Sequence, residues 1–465
     1  MLGKLLGNRD FWRPTLKLAL PIAFQNLLMS SFGMVDTIMI GQLGEVALAS
    51  VGMAGQWSWL MNIFLFGFCS GSSVFISQYW GVKDMRGIHR TYGMVLANVM
   101  AVAAVFTLVG VLAPQFVLGL FTTDPVVIAQ GVSYLRPASI SFLAIAINQG
   151  ASTVLRSTEN VKLPMYTSMV SVAANAILNY IFIFGAFGLP AMGVVGAAVA
   201  TAISAWINPL LLYGISFAQK NLLISPIREL FTFSGAFAKK FYLVSLPVIL
   251  NESLWALGTL GYNMVYGHMG TNNYSALTIF RTVENIAFVF FVGLCHASTV
   301  LVGKNIGAGN FKQAISDARR FAIVVPLLSL AVGLCMIALR APVLTLFNVS
   351  EEVRRTAMAI MVIYGLELCI RNIPYINIVG IFRAGGDTKT GLFYDILCVW
   401  CLALPVTIVC GLVLQLPFLL VYTLMLLCED LPKIILCIRR FHSRKWIQPV
   451  TAQGAETLSS GEVLD

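Results

Sequence analysis

Seven ionisable side chains fall inside stretches that otherwise read as hydrocarbon: Asp36, Glu252, Arg281, Glu284, Glu367, Arg371 and Asp395. A charged side chain at a bilayer centre costs roughly 2.5–3.5 kcal/mol on insertion scales, so each needs a partner or a task. Arg281 with Glu284 (i, i+3) and Glu367 with Arg371 (i, i+4) share helix faces. For these four, structural pairing along their own helices stands equal with a functional role. Asp395 follows Lys389 by about 9 Å of helix and is expected near cytoplasmic water.

Asp36 and Glu252 have no such local partner. Asp36 lies about 28 Å of helix from Lys17, and Glu252 about 18 Å from Lys240. A lone buried carboxylate is relieved by a proton, a metal ion or an organic cation, and intramembrane acids are functional by default. Asn175 and Asn179, one turn apart in "AANAILNYIFIFG", can complete a site around Asp36 or simply hydrogen-bond between helices. Pro21 and Pro247 each remove a backbone donor within a span and are expected as hinge points. The nine cysteines lie mostly in spans. "CVWC" (Cys398–Cys401) has redox spacing in an apolar helix and reads as packing rather than thiol or metal chemistry.

The elements that must position these groups are membrane helices. Of 465 residues, 58% are hydrophobic and 11% charged, against about 25% charged in soluble domains. Apolar runs recur along the whole chain and cut into twelve spans, near 14–40, 46–78, 91–117, 128–155, 163–186, 190–217, 240–267, 273–303, 318–340, 356–382, 390–413 and 415–437. The first run is too long for a cleaved signal core and is expected to remain as a helix. The expected fold class is an all-α polytopic membrane protein, with twelve transmembrane helices in two pseudo-symmetric six-helix lobes around a central cavity.

The net charge of +10 is a topology signal, not a nucleic-acid footprint. Basic residues precede the first span (Lys4, Arg9, Arg13, Lys17) and follow every second one. The last group is Lys433, Arg439, Arg440, Arg444 and Lys445, while the loops near 185–191 and 412–417 hold none. The positive-inside bias places both termini in the cytoplasm of a plasma (inner) membrane.

The chain is also written twice. A shift of 226 residues lays Leu20-Pro21 on Leu246-Pro247, Gly41 and Gly44 on Gly267 and Gly270, and Gly81 on Gly307. One residue more aligns "RSTENVK" with "RAGGDTK" (Arg383–Lys389). Two parallel six-helix repeats are a plan of secondary transporters. Expected divisions are an N-lobe at 1–217, a cytoplasmic linker at 218–239, a C-lobe at 240–440 and a disordered cytoplasmic tail at 441–465. Neither a channel filter nor catalytic spacing such as His-Glu-x-x-His or Gly-x-Ser-x-Gly occurs, so no enzyme is expected.

"LPIAFQNLLMSSFGMVDTIMIGQLG", "LRSTENVKLPMYTSMVSVAANAILNYIFIFG", "LPAMGVVGAAVATAIS", "SLPVILNE" and "FRAGGDTK" together resemble the multidrug and toxic compound extrusion (MATE) family, through about Arg440. The resemblance implies an exporter of xenobiotic organic cations that takes H⁺ or Na⁺ inward by antiport, without a cofactor. The family's first-helix aspartate corresponds to Asp36, which would be the metal ligand if Na⁺ is the ion. Its fifth-helix polar positions correspond to Asn175 and Asn179, the second being aspartate in some relatives. One branch has a seventh-helix carboxylate where Trp255 stands here, one turn after Glu252. That branch also has a tenth-helix aspartate where Asn372 stands.

These observations set the expectation of a multidrug efflux transporter working by alternating access, with Asp36, Asn175, Asn179 and Glu252 as the ion-coupling set. Arg281, Glu284, Glu367, Arg371, Asn372 and Asp395 are secondary candidates. The partners are the bilayer and small organic cations, with no nucleic acid, and the chain is expected as a monomer. A flippase for a lipid-linked or anionic substrate, and a non-transporting receptor or scaffold, are the alternatives.

Overall fold

Long helices account for the apolar runs in a computed structural model, which describes residues 9–460 except 233, 346 and 348. Lys4 and the last five tail residues, 461–465, lie outside the described residues. The first six helices are α1 (Arg9–Gly41), α2 (Glu45–Gly81), α3 (Met85–Leu112), α4 (Pro125–Ser139 with Ser141–Ser157), α5 (Lys162–Phe184) and α6 (Gly193–Ala218). The second six are α7 (Gly235–His268), α8 (Thr271–Gly307), α9 (Phe311–Leu344), α10 (Glu351–Gly385), α11 (Thr388–Val413) and α12 (Phe418–His442).

Ten of these are long and apolar enough to cross a bilayer singly. The eleventh, α4, is a broken span bent by 44°, with Pro137 just before the break. The twelfth, α12, is 25 residues long but carries Glu429, Asp430 and Lys433 together, so hydropathy alone does not mark it. Among the described residues the protein is all-α, with one isolated bridge between Gly386 and Ile447.

Local chemistry sets the helix ends. Asp84 and Asp124 accept hydrogen bonds from the first-turn amides of α3 and α4, and Ser350 does so for α10. Gly185, at φ +77°, closes α5 in the left-handed conformation. Pro21 and Pro247 sit within α1 and α7, each of which continues through its proline. α10 and α11 widen into π-helical turns over Ile376–Phe382 and Ile396–Ala403, near several of the buried polar residues.

Packing divides the chain into two compact units. One comprises Phe24–Ile76 and Asp84–Ser245, the other Met1–Ala23, Ser77–Lys83 and Leu246–Asp465. α1, α2 and α7 therefore each contribute residues to both units. In the first unit, α5 and α6 touch backbone to backbone: a Cβ on Gly196 would lie 2.5 Å from the Phe182 carbonyl oxygen. In the second, a Cβ on Gly333 of α9 would lie 1.9 Å from the Gly365 oxygen of α10. Only glycine permits either approach, and each fixes a helix that carries site residues.

The tail departs from the expectation of disorder: it is ordered through residue 460. Trp446 is buried between Phe382 and Phe441, and a short helix, α13 (Ala452–Ser459), follows. Gln448 N–H donates to the Gly385 oxygen (2.7 Å) and Val450 N–H to Gln78 Oε1 (2.7 Å). Thr451 Oγ1 donates to the Gly307 oxygen (2.7 Å). Two backbone amides and the Thr451 hydroxyl tie the tail to α2, α8 and α10, while Trp446, Ile447 and Val450 supply the apolar burial.

Candidate functional site

Asp36 is half-buried on α1, and α5 supplies its partners. Asn179 Nδ2 donates to Asp36 Oδ1 over 2.5 Å, joining residues 143 positions apart. Asn175, one turn earlier, lies between Asp36 and Ser204 of α6. With its amide nitrogen toward the carboxylate it donates to Oδ1 and Oδ2 (3.0 and 3.1 Å) and accepts from Ser204 Oγ (3.0 Å). That orientation avoids setting two acceptors face to face.

Both recorded partners of Asp36 are neutral amides. They orient the carboxylate and stabilise it partly, yet leave its charge uncompensated. The Asn179 side chain is buried, and its Oδ1 receives no hydrogen bond. Tyr134 of α4 lies near enough to Asp36 to feel its charge. A carboxylate, a spare amide oxygen and a phenol ring form a setting that a proton, a small hard cation or an organic cation can each complete.

Glu252 does not share this isolation. Arg383 Nη2 donates to Glu252 Oε1 (2.6 Å) and to Asn251 Oδ1 (2.7 Å). The cation comes from the far end of α10, 131 residues away, so the spacing along α7 concealed it. Asp395 corrects a second expectation: it is buried, not near cytoplasmic water. It accepts from Asn251 Nδ2 (2.5 Å) and pairs with Lys433 Nζ (2.7 Å). Lys433, grouped in sequence with the cytoplasmic basic residues, is itself buried and also bonds Glu429 Oε1 (3.0 Å). Tyr262 donates to Glu429 Oε2 (3.1 Å).

This lattice has a counterpart in the other half of the sequence. Arg156 Nη2 donates to Gln25 Oε1 (2.8 Å), and Gln25 Nε2 donates to Ser168 Oγ (2.7 Å). Gln25 stands 226 residues before Asn251, while Arg156 and Ser168 stand 227 before Arg383 and Asp395. Each repeat therefore builds an arginine–amide–acceptor clasp a turn beyond its proline. The second repeat adds carboxylates where the first has neutral groups.

The remaining candidates fall in the same unit. Arg281 donates to Asn263 Oδ1 (2.5 Å), and the Arg371 guanidinium lies 5.8 Å from the centre of the Tyr364 ring. Glu284 is half-buried. Glu367 is buried and neither of its oxygens receives a hydrogen bond, so the expected link from Arg371 does not close. Asn372 Nδ2 donates to the Leu368 oxygen of its own helix (3.0 Å).

Residues that sequence reasoning did not single out are Glu429, Asp430, Lys433 and the inward-facing role of Arg383. The signal for the first three was present, since "CEDLPK" places three charges inside an apolar run. All nine cysteines are free thiols, and among the described residues no group of three His, Cys, Asp or Glu side chains is arranged to hold a metal ion.

Comparison with known proteins matches this architecture. The family model described as MatE fits residues 21–181 and again 247–409, two starts separated by the 226-residue repeat. The probable multidrug resistance protein NorM of Thermotoga maritima is 25% identical over 399 residues, covering 85% of this chain and 84% of that protein. The multidrug resistance protein MdtK of Cronobacter sakazakii is 27% identical over 418 residues, covering 86% and 88%. Among solved structures, the Vibrio cholerae MATE transporter VcmN in the bent form superposes with a TM-score of 0.81 at 21% identity, covering 98% of each chain.

Proposed function

The chain belongs to the MATE family of membrane transporters, and is therefore no enzyme; from that premise we propose that it exports organic cations in exchange for H⁺ or Na⁺. One observation carries the proposal: among the described residues, Asp36 is held by two amides and by no counter-charge. The multidrug resistance names of the bacterial relatives support organic compounds as cargo.

The chemistry follows from that missing charge. When Asp36 is ionised, Asn179 and Asn175 keep both of its oxygens oriented, and the site attracts a cationic substrate. When an ion occupies the carboxylate, the attraction falls and the substrate leaves. If each occupant prefers one facing state, the exchange becomes alternating access. Asn179 Oδ1, buried without a donor, can accept a bond from a protonated carboxyl or coordinate sodium. Glu252 serves as a structural clamp through Arg383.

The distribution of basic residues supports cytoplasmic termini in a plasma membrane, and a single chain supplies the whole proposed site. An anionic substrate would want unoccupied cavity arginines. Arg281 and Arg371 are engaged with Asn263 and Tyr364, which disfavours it.

The test is efflux of a cationic dye from proteoliposomes under a proton or a sodium gradient, imposed separately. Dye movement under one gradient supports the proposal, and none under either refutes it.

A further inference from the structure

Glu367 on α10 and Asp430 on α12 belong to the unit that does not hold Asp36. Their carboxyl groups lie close enough to interact directly. The residues are only 5% and 3% exposed. Neither Glu367 oxygen receives an N–H or O–H donor, and Asp430 Oδ2 receives none. Two ionised carboxylates so placed would repel each other and leave buried acceptors unsatisfied.

The surrounding charges do not resolve this. On α12, Lys433 is already bonded to Asp395 and Glu429, the latter adjacent in sequence to Asp430. On α10, Arg371 is the remaining cation, and it interacts with Glu367, Asp430 and Glu284 of α8 together. Arg281 of α8 is turned to Asn263. The other titratable neighbours are phenols, Tyr262 and Tyr266 on α7, Tyr364 on α10 and Tyr422 on α12, which bring no positive charge. One guanidinium shared among three carboxylates does not balance both members of the facing pair. The donor set does not suit a metal, since among the described residues no three acidic, His or Cys side chains converge as a metal site requires.

We propose that the Glu367–Asp430 pair is a proton-binding site, in which one carboxyl carries a proton and donates it to the other. The single proton removes the repulsion between the two carboxylates and supplies the O–H donor that the orphaned oxygens lack. It also divides the acids of this unit by role. Glu252, Asp395 and Glu429 are each bonded to a fixed cation, Arg383 or Lys433, while the facing pair shares an exchangeable proton. The inference concerns proton occupancy and holds whether or not the chain exports organic cations.

Infrared spectroscopy of the full chain in lipid, in an Asp36→Asn background, tests it. At neutral pH a protonated-carboxyl C=O stretch that shifts in D₂O is expected. Glu367→Gln or Asp430→Asn should each remove one carboxyl's worth of that band, because the one carboxylate left no longer faces another and has Arg371 beside it. Either amide can donate N–H in place of the shared proton, so both variants should fold. Loss of the band in either variant supports the proposal. Absence of the band with the pair intact overturns it, without recourse to a variant. So does a band that keeps full amplitude in both variants, or one that vanishes when sodium replaces choline in the buffer.

Discussion

Arg383 donates to Asn251 over 2.7 Å, and the same guanidinium nitrogen reaches Glu252 at 2.6 Å. Removing one member of a buried pair leaves an uncompensated charge, at a cost of about 3–5 kcal/mol. Arg383→Ala is therefore expected to lower thermal stability strongly. Glu252→Gln keeps an acceptor for Arg383 and should cost less. Melting curves of the purified variants in detergent check the order, and an equal loss in both would place the stabilisation elsewhere.

Lys433 holds two acids, Asp395 at 2.7 Å and Glu429 at 3.0 Å. Lys433→Met is expected to destabilise by several kcal/mol, since both carboxylates lose their cation. Adding Asp395→Asn should restore part of that loss, because contacting residues couple. A double-mutant cycle on melting temperature measures it, and strict additivity would contradict the pairing.

Asn179 contributes a direct hydrogen bond to Asp36. A hydrogen bond to a charged group is worth about 1.5–3 kcal/mol. Asn179→Ala is expected to change occupancy of the carboxylate by roughly ten- to a hundredfold, given about 1.4 kcal/mol per decade. The dependence of dye efflux on coupling-ion concentration reads this shift. An unchanged dependence would mean that Asn179 only packs.

Trp446 anchors the tail among Phe382 and Phe441. Trp446→Ala is expected to cost about 3–5 kcal/mol, as for other buried aromatics. Limited proteolysis should then cleave after Phe441 at a protease level that leaves wild type intact. Equal resistance would show that the backbone bonds alone hold the tail.

The sequence made the helices legible because membrane spans are a one-dimensional signal: about twenty apolar residues, then a break. The 226-residue shift was legible because glycines, prolines and basic residues recur at one spacing, which apolar similarity alone would not preserve, and the family model fits the chain twice. Asp36 and its two asparagines could be singled out because an isolated polar group stands out against hydrocarbon. The pairing of Glu252 with Arg383 could not, since its members lie 131 residues apart. Spacing along one helix reports only the partners on that helix. Lys433 misled in the opposite direction: it continues a run of basic residues that does face water, and only folding turns it inward. The ordered tail was missed because its composition is polar, whereas its order comes from three buried apolar residues and a few backbone carbonyls.

Dye efflux from proteoliposomes carrying Asp36→Asn tests the coupling role of Asp36 most directly. The substitution keeps the shape of the side chain and an acceptor for Asn179, removes the charge, and turns the other oxygen into an amide donor. Gradient-driven efflux is expected to fall to the level of protein-free vesicles while the protein stays folded. Efflux equal to wild type under the same gradient would show that another group couples ion to substrate.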